Sequence, residues 1–569
     1  MSIDRIGKHH TVLLITVLIA TSILYSPIKS YSYEKKSISF VPVLLESGEN
    51  IQLSWKREKI ILHELKKAIQ MKRFFINDLP DTSVRKFVEE MGNFRTMRID
   101  MMRKYIEKFL LPEIYKILDA SKEIRAKEFV SETDKNFFIV LKAKELGITS
   151  DELIKVMNSS YIAVPFISEF VKTKKKDKIQ YKISGGIVWY HIKFYPDKKI
   201  EYACKIESWG IGSAEKKEKY TILNKKYNAD EFAFMTAVNS LALNLQVKTR
   251  ELKFFKLEAP IISINKRTIY LTLYKEDGLK EDHPFKIGEW IEDKEGNLEF
   301  RYSGFVRINK VSSKKENLST GLAIYKGDWA RGMIAVEHPY LGIDIAFKPR
   351  IAPIIVRKGA VLTDKFLLLF GNSLGQATAI DLNLNLSISP YIHSFQTFLV
   401  GGAGVGIVPV KTKLYSDIPS IIFNWPKESI FATMVNGHIG FLKRYYFGPF
   451  AIHLEGLAAF QRLFITDEYK DTTVYIYNNS FGTRLNLGLE YALGIDTNIG
   501  FFVGYDLFPP MDWWTIKCGR KEEDLKNYLS YQYPRIYSNG LSFGIYLHFS
   551  VSELPFNPFA ILQSSLNEN

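Results

Sequence analysis

From residue 365 onward the chain alternates apolar and polar side chains with few breaks. Ile380, Leu382, Leu384, Leu386 and Ile388 alternate with Asp381, Asn383, Asn385 and Ser387. Phe481, Thr483, Leu485, Leu487, Leu489, Tyr491 and Leu493 alternate with Gly482, Arg484, Asn486, Gly488 and Glu490. A period of two puts successive side chains on opposite faces of a strand. Eight strands are expected, near 365–372, 376–389, 394–409, 430–444, 450–464, 480–493, 498–508 and 540–551. The connectors after the second, fourth and sixth are short. Those after the third, fifth and seventh are long, at 410–429, 465–479 and 509–539. Long loops at one end and tight turns at the other are the pattern of a membrane-spanning barrel.

Upstream the periodicity changes twice. Over 50–160 apolar residues recur at helical spacing, as in Ile60, Ile61, Leu65, Ala68 and Ile69, then Met101, Met102, Tyr105, Ile106 and Phe109. Ile114, Ile117, Leu118 and Ile124 continue it past Pro112, and Thr149-Ser150-Asp151-Glu152 has the form of a capping box. Strands at 180–194 and 200–207 and a helix over 229–246 make 161–258 a small α/β domain. Five short strands between 268 and 336, with turns at Asp277-Gly278 and Lys326-Gly327, make 259–350 a small closed barrel.

The first 32 residues have the layout of a secretory signal. Arg5 and Lys8 precede an uncharged run from Thr11 to Tyr25, Pro27 breaks it, and Ser30-Tyr31-Ser32 offers a small-x-small site with cleavage before Tyr33. A chain of 569 residues with 46% apolar content is long enough for several cores. Its net charge of +15 is unevenly placed. Residues 1–360 carry 63 basic and 45 acidic side chains, residues 361–569 only 14 and 17. The sparse charge of the last third suits a lipid-facing segment, and the basic surplus upstream suits anionic partners. Lys172, Lys174, Lys175, Lys176 and Lys178 are candidate anion contacts, against the plainer reading of a solvated connection. Cys204 and Cys518 fall on opposite sides of a membrane in this topology, so no bridge between them is expected.

The last strand carries the most specific signal. Leu541, Phe543, Ile545, Leu547, Phe549 and Val551 point one way, and Ser542, Gly544, Tyr546, His548 and Ser550 the other. The spacing of Ser542, Gly544, Leu547 and Phe549 resembles the closing-strand signal that bacterial outer-membrane β-barrels present to their assembly machinery. That resemblance implies a C-terminal eight-stranded antiparallel transmembrane barrel over 361–551, with a tail at 552–569, and periplasmic domains before it. The segment from Gly304 to Val311 with Gly321-Leu322-Ala323 resembles the SH3-like domain of the flagellar T-ring protein. The α/β stretch is similar to periplasmic domains of curli-secretion and flagellar-ring proteins.

No HExxH, GxSxG, P-loop or Cys/His cluster is present, and no cofactor or metal is expected. The run from Gly401 to Gly406 lacks the βαβ context of a dinucleotide site. His453, Glu455, Arg484, Glu490, Tyr546 and His548 would face the lumen, where charges are more often a paired plug than a catalytic set. The expected protein is a scaffold or tether in the outer membrane with its N-terminal region in the periplasm. Its partners would be lipid, with cell-wall polymer or envelope-assembly proteins beyond, and no nucleic acid. The alternative is an outer-membrane enzyme acting on lipids, or a small-solute transporter.

Overall fold

The computed structural model describes residues 36–47, 51–79, 99–112, 159–193, 199–222, 225–292, 298–362, 367–415, 425–469, 472–510, 513–518, 521–524 and 528–552, with a few more between 84 and 90 and at 140–145. The expected signal segment, the apolar positions from Ile114 to Ile124, the capping box at Thr149 and the tail beyond 552 lie outside them.

Three β structures follow one another along the chain. The first is a sheet whose long strands, Ser159–Lys174, Lys178–Lys193 and Lys199–Glu215, form a meander. Lys36–Phe40 and Phe74–Asp78 add to it in parallel. The helix Trp55–Ile69 lies between those two strands in sequence, so the stretch expected as a separate helical region contributes directly to this sheet. The helix Ala229–Glu251 covers one face. Asn228 caps it by accepting from the Glu231 amide, and Ala233, Ala237 and Leu241 pack against the sheet. Gly210 and Gly212 let the helix backbone approach the last strand; a Cβ at either would collide with it.

The second is a closed barrel of six short strands between Glu258 and Glu337, one more than the sequence implied. Glu258–Asn265 joins the ring through Thr268–Leu271 and Ile334–Glu337.

The third is an eight-stranded antiparallel barrel. Its strands in order are Ile343–Arg357, Ser373–Ser387, Thr397–Val410, Ile430–Phe447, Phe450–Tyr469, Thr472–Ala492, Thr497–Leu507 and Gly540–Val551. Each pairs with the next, and the last pairs back to the first.

Three expectations are corrected here. The first barrel strand is Ile343–Arg357, not 365–372, so the barrel begins before residue 361. Pro349 and Pro353 had weakened the strand signal, since proline supplies no ladder donor, and pairing with the last strand lapses at Lys348 and Pro349. The stretch expected as the first strand instead holds Leu367–Phe370, which pairs with Gly359–Leu362 and Thr412–Tyr415 in a four-stranded sheet completed by Leu529–Gln532. The long loop expected at 465–479 is mostly strand. The fifth and sixth strands run about twice the length a bilayer requires, and Ile465, Val474 and Ile476 are buried against Trp514 and Ile516 in a cluster at the end of the barrel far from the first two units.

Candidate functional site

The polarity of the large barrel is inverted relative to a soluble one. Along the seventh strand Ile499, Phe501, Val503, Tyr505 and Leu507 are exposed, while Asn498, Phe502, Gly504 and Asp506 are buried. The eighth repeats the pattern: Leu541, Phe543, Ile545 and Phe549 face out, and Ser542, Tyr546 and His548 face in. Large apolar side chains stand exposed on every strand of the ring, from Phe347 and Ile351 round to Phe549. A water-soluble barrel would bury that face. Contiguous exposed apolar surface of this extent calls for an apolar solvent, and a closed barrel has no edge left to satisfy in lipid. Among the described residues no helix is long and apolar enough to cross a membrane.

Inside, ionic groups form two linked layers. Near the end that meets the small barrel, Arg444 donates to Glu490 (2.9 Å) and to Asp344 (3.3 Å). His548 Nε2 lies 2.7 Å from Asp344, and His453 Nδ1 lies 2.7 Å from the Tyr546 hydroxyl and 3.2 Å from Glu490. Further along the axis Lys348 donates to Glu455 (2.5 Å), whose other oxygen accepts from Asn486 (2.6 Å). Arg350 bridges Asp381 (2.8 Å) and Asp506 (2.9 Å), and Arg484 reaches Asp381 at 3.4 Å. All six lumen residues singled out in the sequence are therefore buried and brought into this one network. Asp344, Lys348 and Arg350 were not singled out, because their strand was not recognised. Asp381 and Asp506 sat on the polar side of their alternations, and that side was the available signal.

Four cations meet five carboxylates here, with His438, His453 and His548 between them. Each buried charge has an opposite charge within ion-pair distance, the condition under which burial of charge is tolerated. Gly402 and Gly404 make room for the network: a Cβ at Gly404 would collide with Asp381, and one at Gly402 with His438. The cavity left among these groups is about 10 Å³, no more than one water needs. Beyond it the lumen is filled by Met434, Val408, Leu463 and Trp514.

Aromatic residues at the two ends of the barrel divide between the two faces. Tyr445, Phe447 and Trp513 face out. Tyr446 turns in to Asn498, and Trp514 is fully buried with its indole N–H on the Pro534 carbonyl.

No protein-family model matches the chain, and no curated protein does. Among solved structures it is similar to Neisserial surface protein A, at 9% identity over 36% of this chain and 97% of that one, with a TM-score of 0.20. It is also similar to the outer-membrane protein OprG of Pseudomonas aeruginosa, at 10% identity over 37% and 97%, TM-score 0.24. The outer-membrane protease OmpT of Escherichia coli gives 7% identity over 38% and 99%, TM-score 0.22. With TM-scores this low, the membrane reading rests on the closure and polarity of the barrel itself.

The small barrel is fastened to the base of the large one through buried polar groups. Asp282, held at a left-handed φ of 68°, accepts from the Gln396 amide (2.8 Å) and the Ser387 hydroxyl (2.9 Å) in the turn after the second strand. Arg307 donates to Ser550 (3.1 Å) and to the Ile495 carbonyl (3.3 Å), and Tyr340 donates to Asp344 (3.0 Å). The α/β unit is tied on in turn by Arg73, which grips Glu337 with both terminal nitrogens, and by Arg250 on the Tyr340 carbonyl (2.8 Å).

The lysine run forms the hairpin between the first two long strands of the α/β sheet. Lys172 pairs with Asp230 on the capped helix, and Lys174 to Lys178 lie at the tip. Cys204 is a free thiol on Lys199–Glu215, and burial pushes it up to about 11. Cys518 ends the strand Trp514–Cys518, on the distal extension of the sixth barrel strand.

Proposed function

We propose that the protein sits in a bacterial outer membrane, with a plugged, non-conducting barrel as anchor. The α/β unit and the small barrel, read as SH3-like, then hang in the periplasm as a tether or scaffold for envelope, secretion or surface-appendage assembly. One observation carries this: the lumen is closed by paired charges and apolar side chains, while the same barrel's base is bonded to a folded basic unit. A transporter needs a passage, and a cavity of about 10 Å³ offers none. An anchor needs a rigid joint, and Asp282, Arg307 and Tyr340 supply one. In planar bilayers the purified full chain should insert without opening a steady conductance, and protease added to intact cells should spare residues 36–340. A stable ion conductance would contradict the anchor reading. Cleavage of that unit from outside would contradict its orientation.

A further inference from the structure

The small barrel meets the base of the large one at a rim that carries both cations and aromatic rings. The two-residue turn Lys266-Arg267 joins the strands Glu258–Asn265 and Thr268–Leu271. Lys266 is held there at a left-handed φ of 52°, where glycine or asparagine is the easier choice. Arg267 lays its guanidinium against Gly448, in the turn between the fourth and fifth membrane strands. Gly448 has a φ of 74°, and a Cβ on it would collide with that guanidinium. Lys326 donates to the Lys266 carbonyl (3.0 Å), which brings its ammonium to the same turn. Lys266, Arg267 and Lys326 are all exposed, and among the described residues none has a carboxylate within ion-pair distance.

The acidic groups along this rim do not cancel them. Asp496, in the turn after the sixth membrane strand, is taken by His338 at 2.8 Å. Glu490 faces the lumen, where Arg444 holds it. Asp328 is exposed two residues beyond Lys326, and counting it in full still leaves three cations against one carboxylate.

Beside these cations lies the lipid-facing belt. Phe447 and Phe450 flank the Gly448 turn and are exposed, as are Tyr445, Tyr491 and Leu493. On the small barrel Tyr325 is 51% exposed, with its ring stacked on Phe305, and Phe305 packs with Ile324 against Tyr446 and Ala492 of the large barrel. The exposed aromatic surface therefore continues from the membrane strands onto the small barrel. Tyrosine, with an apolar ring and a polar tip, is a side chain that membrane–water interfaces favour.

We propose that this rim binds anionic phospholipid of the adjoining leaflet, with its phosphates on Lys266, Arg267 and Lys326 and with Tyr325 among the headgroups. Arg267 sets the height, since it touches the turn that ends two membrane strands, where hydrocarbon gives way to headgroups. Its forked donors suit phosphate oxygens. An acidic protein would also answer the charge, but continuity with the lipid-facing belt favours lipid. The small barrel then leans on the membrane as well as on its joint. The proposal rests on the anchor reading, which supplies the leaflet.

The test uses the full chain carrying Cys204→Ser and Cys518→Ser, in proteoliposomes doped with a nickel-chelating lipid. Spin labels are placed on Asn265→Cys beside the turn, on Lys176→Cys in the hairpin at the far end of the long helix, and on Phe501→Cys in the barrel wall. Headgroup nickel should relax the label at 265 and spare that at 176, while oxygen dissolved in lipid relaxes that at 501. In native mass spectrometry from micelles, phosphatidylglycerol should be retained about tenfold over phosphatidylcholine, at roughly fivefold for each cation near an anionic surface. Lys266→Gln/Arg267→Gln/Lys326→Gln should bring that ratio to about twofold or less, and Lys174→Gln/Lys175→Gln/Lys176→Gln should leave it unchanged. Should loss of Arg267 loosen the joint, the Lys266→Gln/Lys326→Gln pair, which keeps it on Gly448, should still lower the ratio about threefold. A label at 265 untouched by nickel while that at 501 meets oxygen would overturn this surface and leave the anchor standing. Failure at both positions would overturn the anchor reading, and this proposal with it. Equal retention of the two lipids, or an equal loss in the hairpin triple variant, would also overturn the proposal.

Discussion

Glu455 and Ile545 face opposite solvents, and each substitution reads out one side of the barrel wall. Removing Glu455 strands Lys348, whose side chain is 7% exposed, and leaves Asn486 without its acceptor. Glu455→Leu should therefore cost about 3–5 kcal/mol in urea unfolding from micelles, as breaking one half of a buried pair does. Lys348→Met combined with Glu455→Leu should recover most of that, because no unpaired charge remains. Ile545 faces outward beside Phe501. Ile545→Arg should cost about 2–4 kcal/mol at mid-bilayer, seen as loss of the heat-modifiable band on gels. Full retention of that band would argue against lipid at this position. Period-two alternation was enough to send Glu455, Arg484, Glu490 and His548 to the lumen. It was blind to which carboxylate meets which cation, since that depends on register between strands far apart in sequence. The neighbour of His548 is Asp344, on a strand the prolines concealed.

The joint between the α/β unit and the small barrel turns on Glu337. Burial alone would raise its carboxyl. The Arg73 guanidinium beside it, with Arg250, more than reverses that and holds it down at about 2, against an ordinary 4.5. A depressed carboxyl stabilises the fold above its unfolded value and loses that contribution as pH falls through the folded one. Stability of this joint should thus fall between pH 4.5 and about 2, by on the order of 3 kcal/mol. His283 adds to the loss from a higher pH: it stays neutral when folded, whereas the unfolded chain takes up a proton below about 6.5. Unfolding monitored by near-ultraviolet circular dichroism across that range should show the slope, and Glu337→Gln should lack the part below 4.5. A parallel slope in both proteins would remove Glu337 from the account. The small barrel was legible because tight turns punctuate it. The long meander was underestimated, because Gly185, Gly186, Gly210 and Gly212 break the apolar pattern where backbones pass close.

For the whole molecule, the inverted polarity of the last third was legible because it is a local pattern, whereas the stretch read as a separate helical region is part of the α/β sheet. Local pattern could not carry closure. The pairing of Ile343–Arg357 with Gly540–Val551 joins residues about two hundred apart. The measurement that tests the inside-out barrel most directly is a cysteine scan of positions 498–507 in proteoliposomes, with Cys204 and Cys518 replaced by serine. A spin label at 499, 501, 503 and 505 should relax with oxygen dissolved in lipid. Labels at 498, 502, 504 and 506 should be shielded from it or should prevent assembly. If the odd positions instead respond to a water-soluble nickel chelate, the exposed apolar face meets water and the membrane barrel is contradicted.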